Sequence, residues 1–419
     1  MSAPFRSCEI LTVGTELLMG QIVNTNAAYL ARRLAELGIP AYWQTVVGDN
    51  PDRLDAAIRT AVARSGCVLL TGGLGPTADD ITMAGAARAA GVPLVLHEES
   101  LKAIGGYFSS MHRPMTANNR KQALMPEGGI VMPNACGTAP GCIVELPDSP
   151  AGPAALLLFP GPPKEMTAMF EASGAPYLAA RAPFRLRSTY VRMIGIGESA
   201  AESRLADLVE RQENPTIAPY CSDGEVMFRI TQRVSSDADP DLVPPLLDEV
   251  RARLGEYIYE TGPRAMHEVV VALALEKGRT VAFAESCTAG LTAATFASVP
   301  GASGALRGGV VAYADDVKRS LLDVPPEILE RHGAVSAECA EAMALGARRR
   351  FGSDFAVAVT GIAGPGGGTA EKPVGLVHLA VAGPGGVEKR ELRLRGTRER
   401  IRQVAALNAL DLLRRSLLP

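Results

Sequence analysis

Two stretches of the chain alternate short apolar strands with amphipathic helices, and this alternation limits the possible folds more than any other feature. In the first stretch, CEILTVG, AYWQTVVG and CVLLTGG are strand-like, and helical apolar spacing covers Asn26–Leu37 and Pro51–Ala63. A strand at Ala155–Phe159 and a helix opened by PGPPKEM extend the pattern. This order predicts a parallel sheet with helices on both faces.

After about residue 172 the pattern changes. RLRSTYVRMIG and GEVMFRITQRVSS are predicted strands, and helices are predicted around Ser199–Gln212 and over Pro240–Leu254. This unit of about 85 residues has no recognisable catalytic cluster. We expect it to act as a connector or as a dimerisation element.

A second α/β stretch begins near residue 262. Helices are predicted over His267–Lys277, from about Thr288, over Ala337–Arg350 and over Arg398–Leu417, and the strands are Thr280–Ala284, GVVAY, DFAVAVTG and GLVHLAVAG. The predicted fold class is therefore α/β. Two layered α/β domains, over 1–172 and 262–419, are joined by a small α+β domain over 173–261.

Composition excludes several classes of function. The chain has a net charge of −3, which offers no basic surface for general DNA binding. It shows no signal peptide and no apolar run long enough for a membrane span, so we expect a cytoplasmic protein. The seven cysteines form no CxxC pair, so a disulfide framework or a cysteine-built zinc site is not expected.

The motif AFAESCTAG (282–290) places Ser286 where a buried strand ends and a helix is predicted to start. At such a turn a hydroxyl can be exposed, and backbone N–H groups can face developing negative charge. The alternative is that Ser286 only caps the helix.

The motif VVAYADDVK places Tyr313 and Lys318 just after another predicted strand. A serine hydroxyl needs a base, and a lysine can serve if its surroundings favour the neutral amine. No Ser-His-Asp set is evident. The alternative for Lys318 is an ordinary solvated charge on a surface helix.

The loop TGIAGPGGGTAEKPVG (360–375) follows an apolar strand and lets backbone amides approach an anion. Its candidate contacts are Gly361, Gly364, Gly366 and Gly367. In LRGTRERIR, Arg398 and Arg402 lie four residues apart on one helix face and are candidate phosphate partners, although each could be an ordinary surface arginine.

In this order, AESCTAG, AYADDVK, AVTGIAGPGGG, EKPVG and GTRERIR resemble the nicotinamide mononucleotide deamidase domain found alone or at the C-terminus of CinA proteins. The resemblance covers residues 262–419. It implies that Ser286 is the nucleophile, Lys318 its base and Tyr313 an assisting group, with no cofactor. The backbone amides near Cys287 and Thr288 are then candidate oxyanion donors.

Two positions depart from this family pattern. Ala289 stands where the family commonly has glycine, and Ala-Asp-Asp follows Tyr313 where many members have Ser-Asn-Glu. Neither change removes a candidate catalytic side chain. They concern the geometry of the turn and the contacts of Asp315 and Asp316.

Two motifs near the N-terminus also follow predicted strands. GTELLMGQIVNTN (14–26) contains Thr15, Glu16 and Asn26, and TGGLGPTADDIT (71–82) combines glycines with hydroxyls and carboxylates. The second motif suits a metal-bound pyrophosphate. Its candidate contacts are Thr71, Gly72, Gly73, Gly75, Thr77, Asp79 and Asp80, the two aspartates also being candidate metal ligands. The alternative is a glycine-rich loop in which Asp80 caps the next helix.

NACGTAPG (134–141) and FPGPPKEM (159–166) add two loops that we expect near the same sheet edge. Over about residues 7–172 the four segments resemble the molybdopterin-binding fold of molybdenum-cofactor biosynthesis proteins, and more closely its CinA version. The resemblance implies an ADP-ribose pyrophosphatase that depends on a divalent metal and potassium. The implied site comprises Asp49, Thr71, Gly72, Gly73, Asp80 and the loop carrying Asn134, Gly137 and Gly141. Asp80 is the candidate catalytic carboxylate, and the base that activates water is left unassigned because several carboxylates compete.

The resulting hypothesis is a bifunctional hydrolase of pyridine nucleotides that acts on small nucleotide substrates. By resemblance it is a homodimer. The alternative is a non-catalytic scaffold that binds a pterin or a nucleotide and is linked to competence or DNA damage. Direct binding of nucleic acid has no support from the charge of the chain.

Overall fold

The chain forms two compact units in the computed structural model, which describes residues 5–149, 152–182, 184–222, 224–236 and 238–418. The first unit comprises Met1–Arg187 and Gln232–Asp241, and the second comprises Ser188–Thr231 and Leu242–Pro419. Within the described ranges, no helix has the length and apolar character needed to cross a membrane.

The described residues of the first unit form eight strands, β1 (Cys8–Val13), β2 (Ala41–Val47), β3 (Cys67–Thr71), β4 (Leu94–Leu96), β5 (Leu124–Pro126), β6 (Ile130–Met132), β7 (Gly141–Leu146) and β8 (Ala154–Phe159). Six of them form one sheet of order β2-β1-β3-β8-β7-β6, and β4 pairs with β5. β2, β1, β3 and β8 are parallel, as the sequence predicts. β6 and β7 were missed, and they run antiparallel because short loops rather than helical crossovers join them.

The helices of this unit are α1 (Thr15–Leu18), α2 (Thr25–Glu36), α3 (Pro51–Arg64), α4 (Thr82–Ala90), α5 (Glu98–Ser110), α6 (Pro163–Met169) and α7 (Ala175–Ala179). They cover both faces of the sheet. Leu69 of β3 packs in the cluster that includes Leu30 of α2, and the next residue, Leu70, packs in the cluster that includes Leu54 of α3. Alternate residues of a strand point to opposite faces, so both faces of β3 are buried.

The small α+β segment contains β9 (Arg185–Met193), β10 (Thr216–Ser222), β11 (Glu225–Val234) and β12 (Ile258–Glu260), in the order β10-β11-β9-β12. Its helices are α8 (Glu198–Arg204), α9 (Ala206–Glu210) and α10 (Val243–Leu254). β10 and β12 were not predicted from the sequence, and α8 and α9 were predicted as one helix. The predicted start of α10 was three residues too early, because prolines occupy the first turn of the observed helix.

The remainder of the second unit contains β13 (Val281–Glu285), β14 (Leu306–Val311), β15 (Phe355–Gly361), β16 (Leu376–Gly383) and β17 (Gly386–Arg393). The sheet order is β14-β13-β15-β16-β17. The first three of these neighbours are parallel, and β16 and β17 continue the sheet antiparallel. β17 was missed because its residues are largely charged and exposed, as on an edge strand.

Six helices flank this sheet, α11 (Met266–Glu276), α12 (Leu291–Ala297), α13 (Asp315–Leu322), α14 (Pro326–His332), α15 (Ala337–Phe351) and α16 (Arg398–Leu417). α11 and α16 pack on the face that carries Phe283 of β13. α15 packs on the opposite face, where Ala282 and Ala284 let the helix approach closely. The helix predicted from Thr288 begins at Leu291, because a turn occupies the residues between β13 and the helix.

Candidate active sites

The carboxyl ends of β14, β13 and β15 lie side by side at one edge of the second unit's sheet. Glu285, the last residue of β13, pairs with Val311 of β14 and with Val359 of β15. The segment after each strand holds one predicted motif, with Ser286 after β13, Tyr313 and Lys318 after β14, and the glycine loop after β15. Open α/β sheets bind ligands at this edge. The three motifs therefore come together in space.

Ser286 lies on the turn that follows β13. Its backbone N–H donates to the carbonyl of Val359 at 2.8 Å, and its carbonyl accepts from the N–H of Ala289 at 3.0 Å. Strand alternation puts Ser286 on the face of Ala282 and Ala284, toward the side of the sheet that α15 covers. At 8% exposure, Ser286 is sheltered from bulk water.

Ser286 does not cap α12, so that alternative is wrong. The N-cap residue of α12 is Gly290, which has no side chain to form a cap. The buried carboxylate of Glu285 instead accepts hydrogen bonds of 2.8–3.0 Å from the backbone N–H groups of Gly290, Thr292 and Ala293. Glu285 therefore satisfies the start of the helix, a role that the sequence analysis did not assign.

The turn retains a left-handed backbone at the position where this chain lacks the family's usual glycine. Ala289 has a φ of +51° and Gly290 a φ of +91°. A left-handed conformation costs an L-residue about 1–2 kcal/mol. An alanine at this position of the turn therefore carries a cost in backbone strain.

Lys318 lies on α13 and is only 1% exposed, so it is not the solvated surface lysine of the alternative interpretation. Its Nζ donates to the carbonyl of Tyr313 at 2.9 Å and to Oδ1 of Asp315 at 3.1 Å. The N–H of Ala312 donates to the carbonyl of Glu285 at 2.8 Å. The segments that lead to Lys318 and to Ser286 are therefore hydrogen-bonded neighbours.

Arg398 and Arg402 of α16 both reach this edge. Nη1 of Arg398 donates to the carbonyl of Gly364 at 2.6 Å, and Nη2 donates to the Tyr313 hydroxyl at 3.0 Å. Nη2 of Arg402 donates to the carbonyl of Thr288 at 2.8 Å. α16 thus joins the glycine loop, Tyr313 and the turn after Ser286.

Buried polar atoms without a partner lie beside this turn. They are Oγ1 of Thr288, Oγ1 of Thr292 and Nε of Arg402, none of which has a hydrogen-bond partner within the described structure. Most buried polar atoms in proteins have a partner. A bound group that accepts hydrogen bonds would satisfy the free Nε of Arg402 beside Thr288.

The glycine loop is held by a residue that the sequence analysis did not single out. Nζ of Lys372 donates to the carbonyls of His332 and Val335, which ties the loop to the segment before α15. Gly364 and Gly367 have φ values of +79° and +84°, which side chains rarely adopt. Lys372 belongs to the EKPVG motif, but a lysine there carried no signal of its own.

Cys287, next to Ser286, is unsuited to act as the nucleophile. It is 4% exposed, and burial raises the pKa of its thiol to about 12. The reactive form of cysteine is the thiolate, which is scarce at neutral pH for such a group. Ser286 is therefore the candidate nucleophile of this turn.

In the first unit, a cavity of about 420 Å³ opens at the carboxyl ends of β1 and β3. Eight predicted site residues line it, namely Glu16, Asn26, Asp49, Thr71, Gly72, Gly73, Asp79 and Asp80. The apolar residues Leu17, Ile22 and Val23 also contribute to its lining. The two N-terminal motifs therefore meet at one cavity.

The loop at 134–141 does not line this cavity. Asn134 and Gly137 line a separate cavity of about 540 Å³ in the same unit. Gly141 begins β7, where an added Cβ would lie 2.4 Å from the carbonyl oxygen of Leu158. Gly75 lines a small adjoining cavity of about 80 Å³ together with Gly73 and Asp80.

Thr15 and Thr77 each hydrogen-bond to an aspartate at the cavity. The N–H and hydroxyl of Thr15 donate to Oδ2 of Asp49 at 2.9 and 2.8 Å. The N–H of Thr77 donates to Oδ2 of Asp80 at 2.8 Å, and its hydroxyl donates to the same oxygen. Asp80 does not cap α4, because the N-cap residue of α4 is Ile81, which makes no side-chain hydrogen bond.

Lys121 is a charged residue near this cavity that the sequence analysis missed. Its Nζ donates to the carbonyl of Thr77. The Thr77 hydroxyl lowers the pKa of the exposed Asp79, and the charge of Lys121 contributes in the same direction. Nothing in the sequence around Lys121 distinguished it from other lysines.

Carboxylate oxygens are the ligands that Mg²⁺ prefers in proteins, and Glu16, Asp49, Asp79 and Asp80 supply them at this cavity. No group of three or more His, Cys, Asp or Glu side chains is placed to hold a metal ion anywhere in the described part of the chain. At most two of these carboxylates could therefore share one ion, and a divalent ion there would take its remaining ligands from the substrate's phosphates.

Three family models match the chain. They are "Probable molybdopterin binding domain" over residues 9–180, "Damage-inducible protein CinA KH domain" over 188–259 and "CinA C-terminal domain" over 263–417. The first and third lie over the two layered α/β regions, and the second lies over the small α+β segment.

Relatives match over the full chain. A CinA-like protein of Dictyoglomus turgidum is 50% identical over 412 residues, which cover 98% of this chain and 99% of that protein. A CinA-like protein of Gloeobacter violaceus is 47% identical over 417 residues, covering 98% and 97%. The crystal structure of competence/damage inducible protein CihA from Agrobacterium tumefaciens is 43% identical, covers 37% of this chain and 96% of its own, and has a TM-score of 0.35. The chain belongs to the CinA family.

Proposed function

We propose that the C-terminal region hydrolyses the carboxamide of nicotinamide mononucleotide, giving nicotinate mononucleotide and ammonia. The observation that carries this proposal is the pair Ser286 and Lys318. Ser286 is sheltered on a strand-end turn, and Lys318 is buried on the neighbouring segment, where its amine has two acceptors among the described residues. A buried amine that reaches a hydroxyl can act as its base.

The reaction proceeds by acyl transfer in this proposal. The neutral amine of Lys318 takes the proton of Ser286 as Oγ attacks the carboxamide carbon. The resulting ammonium is stabilised by the Tyr313 carbonyl and by Asp315, both already within hydrogen-bond distance. The tetrahedral intermediate collapses, and the lysine's proton leaves with the amide nitrogen as ammonia. Water then cleaves the acyl-serine ester and releases the carboxylate product.

The turn offers donors for the developing oxyanion. The N–H groups of Ser286 and Ala289 donate to backbone carbonyls, whereas those of Cys287 and Thr288 donate to no backbone carbonyl among the described residues and face the Cys287 thiol. One well-placed donor contributes about 3 kcal/mol to transition-state stabilisation. The substrate's phosphate would bind at the glycine loop, with the free hydrogens of Arg398 and Arg402 as partners.

For the N-terminal region we propose hydrolysis of the pyrophosphate bond of ADP-ribose in the 420 Å³ cavity. Asp79 and Asp80 would hold a divalent metal together with phosphate oxygens of the substrate, and potassium is proposed as a second ion. The metal would neutralise charge on the pyrophosphate. This proposal is supported by the carboxylates and the glycine turn that line the same cavity.

Ammonia release from nicotinamide mononucleotide, measured with metal chelated, tests the C-terminal proposal. Wild type should release ammonia, Ser286→Ala should not, and Ser303→Ala, which changes an exposed serine outside the site, should match wild type. Loss of ADP-ribose hydrolysis in Ser286→Ala would contradict two independent sites. If wild type releases no ammonia, the result would favour the scaffold hypothesis.

ADP-ribose turnover with Mg²⁺ and potassium tests the N-terminal proposal. Asp80→Ala should lose turnover and keep deamidation, while Asp52→Asn, an exposed change on α3, should keep both. Unchanged turnover in Asp80→Ala would remove Asp80 from the site. Because the two sites have separate substrates, the proposal for each can fail alone.

The second candidate function is a scaffold that binds a pterin or nucleotide without turnover. The buried Lys318 argues against it, since burying an amine is costly and a lost activity leaves nothing to maintain that cost. The segment that matches the KH model, 188–259, contains no Gly-x-x-Gly, the loop by which KH domains clamp nucleic acid.

Homodimer formation and a cytoplasmic location stay predictions, the first being testable by light scattering.

A further inference from the structure

Asn26 presents an unsatisfied acceptor at the N-terminal cavity. It is the second residue of α2, lines the 420 Å³ cavity and is 7% exposed. Its Nδ2 donates to Oγ1 of Thr71 at 2.9 Å and to the carbonyl of Gly161 at 2.8 Å. Both amide protons are therefore used within the protein.

The surrounding hydrogen bonds fix which way this amide points. The hydroxyl of Thr71 donates its one proton to the carbonyl of Pro160 at 3.0 Å, so its oxygen can only accept from Asn26. If the amide were turned over, Oδ1 would face two acceptors, the Thr71 oxygen and the Gly161 carbonyl. The network therefore assigns Nδ2 to the protein side and leaves Oδ1 for another partner.

Oδ1 of Asn26 is buried and has no hydrogen-bond partner within the described residues. Such atoms are rare in folded proteins, because burying an unpaired acceptor costs free energy. Since Asn26 lines the cavity and its Nδ2 faces Thr71 and Gly161, Oδ1 is the atom that it offers to a ligand. The ligand group that meets it must donate a hydrogen bond or be a cation.

We infer that Asn26 binds a ribose hydroxyl of the nucleotide ligand, accepting its hydrogen bond. The inference rests on the proposed N-terminal function and adds which part of the substrate lies at Asn26. Phosphate oxygens are acceptors, so the pyrophosphate does not occupy this position. The carboxylates of Glu16 and Asp49 also line the cavity, which suits a group with several O–H donors. The base would lie against Ile22 and Val23.

Calorimetric binding to the full-length wild type tests the inference without any variant. The ligands are ADP-ribose and analogues that each lack one ribose hydroxyl, measured in EDTA so that no metal-dependent hydrolysis takes place. The analogue that lacks the hydroxyl bound by Asn26 should bind at least about tenfold more weakly, because Oδ1 of Asn26 is then left unpaired. Equal affinities across the series would overturn the inference. An affinity for ADP-ribose that depends on potassium and on no ribose hydroxyl would also overturn the inference.

Two variants identify Asn26 as the partner. Asn26→Ala should lower the affinity for ADP-ribose by about the same factor. It should not lower the affinity for the analogue that lacks the critical hydroxyl any further. Asn24→Ser is the matched control, because Asn24 also lines the cavity while its Nδ2 donates to Thr12 and its Oδ1 accepts from the N–H of Ala27. Serine keeps the cap of α2. This variant should therefore retain the full difference between ADP-ribose and that analogue.

The outcomes separate this inference from the proposed function. Hydroxyl-dependent binding without hydrolysis under Mg²⁺ and potassium would overturn the pyrophosphatase proposal and support the role of Asn26. Hydrolysis of ADP-ribose and of every deoxy analogue with one KM would support the pyrophosphatase and overturn the role of Asn26. Failure of wild type to bind or hydrolyse any member of the series, both in EDTA and with Mg²⁺ and potassium, would overturn both.

Discussion

Nη2 of Arg398 donates a hydrogen bond of 3.0 Å to the hydroxyl of Tyr313, 85 residues earlier in the chain. The same guanidinium holds the carbonyl of Gly364. One side chain thus connects the closing helix, the glycine loop and the segment before Lys318. Arg398 can therefore act in two ways, as a ligand of the substrate's phosphate or as a clamp on Tyr313.

The first prediction separates these roles of Arg398. Arg398→Met should lower kcat/KM for nicotinamide mononucleotide by about 10- to 100-fold, because a charge-assisted contact to the phosphate is lost. Nicotinamide riboside, which lacks the phosphate, should be turned over equally by the variant and wild type. A loss of similar size on both substrates would assign Arg398 to the clamp alone. Arg395→Met, at an exposed arginine on the loop before α16, is the control.

The C-terminal site was predictable in its parts and not in its assembly. AESCTAG and AYADDVK pointed to Ser286 and Lys318 as candidates. The proximity of the two segments depends on the pairing of β13 with β14, which is a property of the tertiary fold. The burial of Lys318 could not be predicted either, since α13 is strongly amphipathic and a lysine normally belongs to its solvated face. The capping of α12 by Glu285 could not be predicted either, because it depends on the backbone path of the turn between them.

In the N-terminal unit, glycines and carboxylates predicted the cavity at the sheet edge, because parallel strands end together. The expectation that Asn134 and Gly137 share that cavity does not match their position, since β6 and β7 run antiparallel and carry the loop elsewhere. Lys121 was missed because it acts through the carbonyl of Thr77, a contact with no sequence signature.

Lys318→Arg is the second prediction. A guanidinium stays protonated near neutral pH and cannot act as a base, so deamidation should fall by at least about 100-fold. ADP-ribose hydrolysis should be unchanged. Full deamidase activity in the variant would disprove the lysine-base mechanism. Lys277→Met, which changes an exposed lysine at the end of α11, should keep wild-type kcat and serves as the control.

Ala289→Gly is predicted to stabilise the second unit. Glycine removes the cost of the left-handed backbone at φ +51°, about 1–2 kcal/mol, and adds flexibility to the unfolded chain worth about 0.4–1 kcal/mol. The net gain should be about 0.5–1 kcal/mol and the melting temperature should rise by about 2 °C in calorimetry. Ala252→Gly, at an exposed position inside α10, should instead destabilise by about 1 kcal/mol. A lower melting temperature for Ala289→Gly would contradict the assigned turn.

Lys121 is predicted to position the Thr77–Asp80 segment of the N-terminal site. Lys121→Met removes the donor to the Thr77 carbonyl and the charge near Asp79. We expect about a tenfold higher Mg²⁺ requirement for ADP-ribose hydrolysis, with partial recovery in Lys121→Arg. Lys102→Met, which changes an exposed lysine on α5, should leave the requirement unchanged. An unaltered Mg²⁺ titration for Lys121→Met would show that the contact does not support the site.

The last prediction concerns Asp411, a buried carboxylate of α16 that is 1% exposed. Its carboxylate accepts from Arg414 at 2.8 Å, and from Arg390 and Arg415 at 3.0 Å. Burial alone would raise the pKa of Asp411, but these three charges outweigh it and the pKa is lowered. An unfolded aspartate has a pKa of about 3.9. The stabilisation is therefore complete above that pH and is lost as the pH falls through the lower pKa of the folded state.

Asp411→Asn should destabilise the second unit by about 3 kcal/mol at pH 7, because it leaves three arginines beside an uncharged group. Urea unfolding of wild type and variant between pH 7 and pH 2.5 measures both effects. The difference in unfolding free energy should be constant from pH 7 to about pH 5 and should shrink below about pH 4. Asp248→Asn, at an exposed aspartate of α10, should show little difference at any pH. A difference for Asp411→Asn that does not change with pH would mean that the loss arises from packing rather than from the charge.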